Sequence, residues 1–108
     1  MTAPAPYLGE TEAPSRAEVD AWRGLHVLEF GTDWCGHCRA APPLIAQAIS
    51  KQPHWQHCKV EDGPGRALGR HYRVKLWPTV VLLRDGQEVG RLMRPAAAQD
   101  IESAMTKA

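Results

Sequence analysis

Two cysteines stand two residues apart in Trp34-Cys35-Gly36-His37-Cys38. That spacing is a redox or metal signature, and the flanking sequence decides between them. Ahead of the pair, Leu25-His26-Val27-Leu28-Glu29-Phe30 is a short apolar run rich in strand formers. Behind it, Ala41, Leu44, Ile45 and Ala48 recur at helical spacing. Cys35 therefore falls where a strand hands over to a helix. At a helix N-terminus the free backbone N–H groups and the positive end of the dipole stabilise an anion. The reactive form of cysteine, the thiolate, is such an anion. Cys38 lies one turn further in, on the same face, and is expected to be more buried. A disulfide between them closes a small ring that opens readily, which suits a catalytic dithiol better than a structural staple.

The surrounding elements can be read from patterning. Ser15 and Glu18 have capping-box spacing and predict a short helix starting near Ser15, with Gly24 ending it. A strand follows over Leu25 to Gly31, apolar apart from His26 and Glu29, as befits a central strand covered on both faces. The cysteine-bearing helix is expected from about Cys35 to Lys51, kinked at Pro43. Trp55 to Glu61 reads as a second strand, Asp62-Gly63-Pro64-Gly65 as a turn and Arg66 to Tyr72 as a short helix. Thr79 to Leu83 is the most strand-like run in the chain. Asp85-Gly86 signals a hairpin, Glu88 to Met93 returns, and a last helix is expected over Ala96 to about Lys107. The Pro-rich start, residues 1–12, reads as a mobile lead, with Pro6-Tyr7-Leu8 as a candidate stub of a first strand. Residues 13–108 then form one domain.

This arrangement resembles the thioredoxin family, and the resemblance runs from about Pro14 to the C-terminus. It rests on Cys35 and Cys38 together with Pro43 inside the helix, Pro78 opening an apolar run, and Glu29 and Lys59 at matching positions on neighbouring strands. The fold implied is α/β: a central mixed β-sheet flanked by helices, in the order βαβαββα. The resemblance implies a thiol–disulfide oxidoreductase in which Cys35 attacks a protein disulfide and Cys38 resolves the mixed disulfide. It implies that Glu29, held by Lys59, assists deprotonation of Cys38. A carboxylate buried on an apolar strand is driven toward its protonated form and can exchange protons near neutral pH. It further implies a cis bond at Pro78, with Trp77, Pro78 and Thr79 offering their backbone to an extended substrate. Trp34, Gly36 and His37 would tune the sulfurs. Family members with Cys-Gly-His-Cys include protein disulfide isomerases, and a cationic His37 would stabilise the Cys35 thiolate and make the disulfide more oxidising.

Three positions depart from the family pattern. Gly31 stands where an aromatic is usual, Trp77 where a small aliphatic precedes the proline, and Arg94 where a glycine borders the docking surface. The last two alter the rim that partners would touch.

Competing readings follow from other residues. His37, His54, His57 and Cys58 offer zinc-type ligands. However, no second Cys-x-x-Cys exists, and the family placement sets His54, His57 and Cys58 apart from the helix N-terminus. Cys58 reads as a small buried hydrophobe. His26, His71, Arg66, Arg70 and Arg73 read as solvated surface. The chain has 108 residues and a net charge of +1, which gives no reason to expect nucleic acid or a membrane as partner. Three cysteines and a start without a secretory pattern point to a reducing, cytoplasmic setting. A monomer is expected, with no cofactor beyond the Cys35–Cys38 disulfide. Its electrons would come from a donor such as a thioredoxin reductase or glutathione, a role in electron transport and cell redox homeostasis. The rivals are a disulfide-forming or isomerising protein and a non-catalytic binding module.

Overall fold

A computed structural model describes residues 7–108. Its elements are α1 (Arg16–Asp20), β1 (Leu25–Gly31), α2 (Gly36–Lys51), β2 (Trp55–Glu61), α3 (Ala67–His71), β3 (Thr79–Arg84), β4 (Gln87–Met93) and α4 (Ala98–Lys107). From Leu25 onward the order is βαβαββα, as the patterning predicts. The strands form one mixed sheet in the order β2-β1-β3-β4. β1 pairs in parallel with β2 and antiparallel with β3, and β3 pairs antiparallel with β4.

Side-chain alternation along the strands divides the core in two. Val27, Val80 and Leu82 pack with Ala41, Ile45 and Ala48 of α2 and with Ile101 and Met105 of α4. Leu28, Phe30, Val81 and Leu83 pack on the other face with Val19 of α1 and Leu68 and Tyr72 of α3. β1 is thus covered on both sides, which explains its nearly unbroken apolar run. Glu29 lies on the same face as Val27 and is fully buried beneath α2.

Several local expectations are met by specific contacts. Glu18 donates its N–H to Ser15 Oγ at 3.1 Å, and Ser15 donates its N–H to Glu18 Oε1 at 3.0 Å, closing the capping box. The helix is shorter than expected, because Ala21 rather than Gly24 caps it. Gly24, at φ +87°, belongs to the connection into β1, where its N–H donates to Asp85 Oδ1 at 2.7 Å. Asp85 and Gly86 both have positive φ, the conformation that the β3–β4 hairpin requires. Both Pro42 and Pro43 lie inside α2, so two backbone donors are missing from its middle. α4 begins at Ala98, later than expected, behind an N-cap Ala97 that has no side-chain oxygen to offer.

Other expectations are corrected. His26 is buried, not solvated, and stacks on Trp22 with ring centroids 4.5 Å apart. Burial holds its imidazole below the usual histidine range, against a backbone hydrogen bond with Gly24. Arg66 is tied down by Glu10 and Glu61. Of the lead expected over residues 1–12, residues 1–6, including Pro6 of the candidate stub, lie outside the described residues. Tyr7 is buried, and Leu8 forms a single parallel bridge to Val60. Its N–H donates to Lys59 O at 2.8 Å and its carbonyl accepts from Glu61 N–H at 2.9 Å.

Candidate active site

β1, an inner strand of the sheet, ends at Gly31, and the chain passes through four residues to the start of α2 at Gly36. Cys35 is the N-cap of α2, with extended backbone (φ −82°, ψ 124°). Its Sγ occupies the place of a capping oxygen and accepts the N–H of Cys38 at 3.3 Å. Both cysteines are free thiols, Cys35 half-buried and Cys38 buried. Their acidities diverge. Burial alone raises Cys35, but hydrogen bonds from the Cys38 thiol and N–H and from the His37 N–H outweigh it. With the charge of Arg94 added, the thiol falls below the ordinary value. Cys38 is pushed up to about 11, mainly by burial and by its neighbour Cys35. At neutral pH one sulfur is thus predisposed to attack, while the other holds its proton.

Around the sulfurs stands an aromatic and cationic rim. Trp34 is 71% exposed and meets Trp77 edge to face, with ring centroids 5.7 Å apart. Trp77 is half-buried, and its indole N–H donates to Asp62 Oδ2 at 2.9 Å. The Trp77–Pro78 bond is cis. Arg94, at φ +51°, donates its backbone N–H to Pro78 O at 2.9 Å and its Nε–H to Trp77 O at 2.8 Å. These bonds hold its guanidinium where it acts on Cys35. Thr79 is buried and donates its hydroxyl to Leu76 O at 2.6 Å. Gly36 and His37 are exposed; a side-chain carbon at Gly36 would meet nothing within 4 Å. His37 reaches Cys35 through its backbone N–H.

Beneath Cys38 the structure assembles a polar group around Glu29 that takes in residues beyond the expected partner Lys59. Lys59 is the register partner of Glu29, and its ammonium also lies over the Tyr7 ring, 4.4 Å from the centroid. The Glu29 carboxyl group accepts from the Tyr7 hydroxyl at Oε2 and shares a hydrogen bond between Oε1 and His57 Nε2 at 2.8 Å. A side-chain carbon at Gly31 would lie 2.6 Å from Cys38 Sγ and 2.7 Å from the Tyr7 hydroxyl. Glycine there is what lets those two groups meet. Sequence reasoning left Tyr7 and His57 out of the site. One signal was present: residues 57 and 59 share a strand face, so a partner of Glu29 from β2 could be either. Cys58 is half-buried against the Leu28–Phe30 side of the sheet, and burial raises its thiol. Among the described residues, no group of three or more His, Cys, Asp or Glu side chains is placed to hold a metal ion. Nor is any described helix long and apolar enough to cross a membrane.

Comparison with known proteins agrees with this geometry. The family model described as Thioredoxin matches residues 10–107. A thioredoxin H-type protein of Fagopyrum esculentum is 35% identical over 69 residues, covering 64% of this chain but 60% of the relative. The thioredoxin of Chlamydia pneumoniae is 31% identical over 70 residues, covering 65% of this chain and 69% of the relative. The chain thus spans less than two thirds of the first of these relatives. Among solved structures, reduced thioredoxin 2 from Pseudomonas aeruginosa PAO1 superposes with a TM-score of 0.81 at 55% identity, covering 94% of this chain and 92% of that one.

Proposed function

The chain belongs to the thioredoxin family, and from that premise we propose that it reduces or exchanges protein disulfides through a Cys-Gly-His-Cys dithiol. The observation that carries this reading is the unequal pair of thiols: Cys35 capping α2 with a lowered pKa, and Cys38 one turn inside with a raised one. Cys35, as thiolate, attacks one sulfur of a substrate disulfide and displaces the other. Cys38 then attacks Cys35 Sγ, releases the substrate as dithiol and leaves the Cys35–Cys38 disulfide. No metal takes part; both electrons reside on the two sulfurs.

Trp77, Pro78 and Thr79 present the edge along which an extended substrate lies, with Trp34 as an apolar platform beside it. A thioredoxin reductase or glutathione restores the dithiol. The chain works as a monomer in the cytoplasm. Disulfide formation is a second reading, favoured by the Arg94 charge, since whatever stabilises the Cys35 thiolate makes the disulfide easier to reduce. Turnover of insulin disulfides with dithiothreitol as electron source tests the proposal. Acceleration above the dithiothreitol background is expected; a pure binding module would give none.

A further inference from the structure

The polar group beneath Cys38 has a shape that its separate contacts do not require. Tyr7 is buried and Glu29 fully so, whereas the side chain of His57 is 22% exposed. The Tyr7 hydroxyl stands beside Cys38 Sγ in the space left by Gly31, and it donates to Glu29 Oε2. The other carboxylate oxygen, Oε1, meets His57 Nε2 at 2.8 Å. Taken in order, Cys38, Tyr7, Glu29 and His57 form an unbroken line of proton-bearing groups from the inner sulfur to solvent. A buried ionisable group with two directed partners is costly unless both are satisfied, and here both are.

We propose that Tyr7, Glu29 and His57 are a proton relay that carries the proton of Cys38 to solvent when Cys38 resolves a mixed disulfide. The inference rests on the dithiol chemistry proposed above. In the mixed disulfide Cys35 Sγ is bonded to a substrate sulfur. Cys38 Sγ attacks Cys35 Sγ; the Cys35–Cys38 bond forms and the bond to substrate breaks. The dithiol is oxidised, and the substrate leaves as a thiolate that takes a proton from water. The Cys38 proton passes to the Tyr7 oxygen as the Tyr7 proton passes to Glu29 Oε2. Glu29 enters as the carboxylate and holds that proton as the neutral acid; the carboxyl group then turns its protonated oxygen to an unprotonated His57 Nε2, the proton crosses, and the imidazole releases one from its other ring nitrogen to water.

Tyr7 is the member that touches the reacting thiol: its one hydroxyl proton goes to Glu29, which leaves its oxygen to accept from Cys38. Tyr7 itself does not ionise in the process: burial and the neighbouring Glu29 charge push its own pKa far up. It takes one proton while giving another. Lys59, over the Tyr7 ring, and Asp33, whose Oδ1 accepts the Tyr7 backbone N–H at 3.4 Å, also face this residue.

The two steps can be timed separately with 5,5′-dithiobis(2-nitrobenzoate). Attack by Cys35 releases one thionitrobenzoate; resolution by Cys38 releases the second. Positioned general acid–base groups contribute about 10²–10⁴-fold to a proton-transfer step. Tyr7→Phe and His57→Gln are therefore expected to slow the second release by about tenfold or more, and by far more than the first. The pH profile separates a relay from mere packing. With the relay, the second release varies little with pH as long as burial keeps Cys38 protonated. Without it, the rate should follow hydroxide, rising about tenfold per pH unit. A second release at the wild-type rate and pH profile in either variant would overturn the relay. Should Tyr7→Phe lose its circular dichroism spectrum, His57→Gln decides alone, since its ring lies at the surface end. Failure of the wild-type protein to give a first release would instead contradict the dithiol chemistry itself.

Discussion

The sulfur of Cys35 accepts the backbone N–H of Cys38 at 3.3 Å, so one thiol of the pair caps the helix that carries the other. A hydrogen bond to a charged group contributes about 1.5–3 kcal/mol, roughly twice a neutral one. The bond therefore favours Cys35 as thiolate. The same helix carries Cys38 inward, where burial favours the thiol. A single turn of helix thus separates the acidities of two chemically identical side chains.

The first prediction is selective alkylation. The Cys35 pKa is lowered, so its reactive, deprotonated form is present at pH values where ordinary thiols are protonated. Its rate with iodoacetamide should climb as pH rises through that lowered pKa and then level off. Cys38, pushed up to about 11, and Cys58, also raised, should stay unmodified near neutrality. Mass spectrometry of the native protein after a short exposure reads the outcome; equal labelling of all three cysteines would contradict it.

Gly31 supplies a second prediction, this time on packing. Gly31→Ala places a carbon 2.6 Å from Cys38 Sγ and 2.7 Å from the Tyr7 hydroxyl, closer than either can tolerate. Overpacking of this kind costs about 1–3 kcal/mol. The urea midpoint should fall accordingly with an unchanged m-value. An unchanged midpoint would mean that the Tyr7 ring moves aside without cost.

A third prediction concerns the potential of the pair. Reference values run from about −270 mV for thioredoxin to about −180 mV for protein disulfide isomerase. The residues between the cysteines and the Arg94 charge both act on the Cys35 thiolate. The wild-type potential is expected between those limits, and His37→Pro should move it toward the thioredoxin end by tens of millivolts, about 30 mV being about 1.4 kcal/mol. Equilibration against glutathione buffers measures both. A wild-type value at or below the thioredoxin limit, unmoved by the substitution, would leave His37 as an ordinary exposed residue.

Much of this structure was legible from local pattern. The strand-forming runs Leu25 to Gly31 and Thr79 to Leu83, the Ser15–Glu18 box and the Asp85-Gly86 turn each depend on residues near in sequence, and each forms where the pattern puts it. The place of Cys35 at the start of α2 was legible for the same reason, since a helix N-terminus is a local feature. Tyr7 and His57, which bond to Glu29, were not. Tyr7 reaches it across 22 residues and His57 across 28, through strand register and a bridge at Leu8 that no periodicity encodes. The departure at Gly31 was visible as a missing side chain, but not that Tyr7 would reach into the space. His26 misled for a related reason: a histidine beside the turn reads as solvated, until Trp22 folds over it.

The central claim is that Cys35 attacks and Cys38 resolves, and trapping tests it most directly. Cys38→Ser removes the resolving thiol, so a mixed disulfide formed at Cys35 has no internal exit. Incubated with a disulfide-bonded peptide and separated without reductant, Cys38→Ser should accumulate a one-to-one adduct mapped to Cys35. Cys35→Ser should accumulate almost none. An adduct that forms equally in both variants, or maps to Cys58, would contradict the assignment.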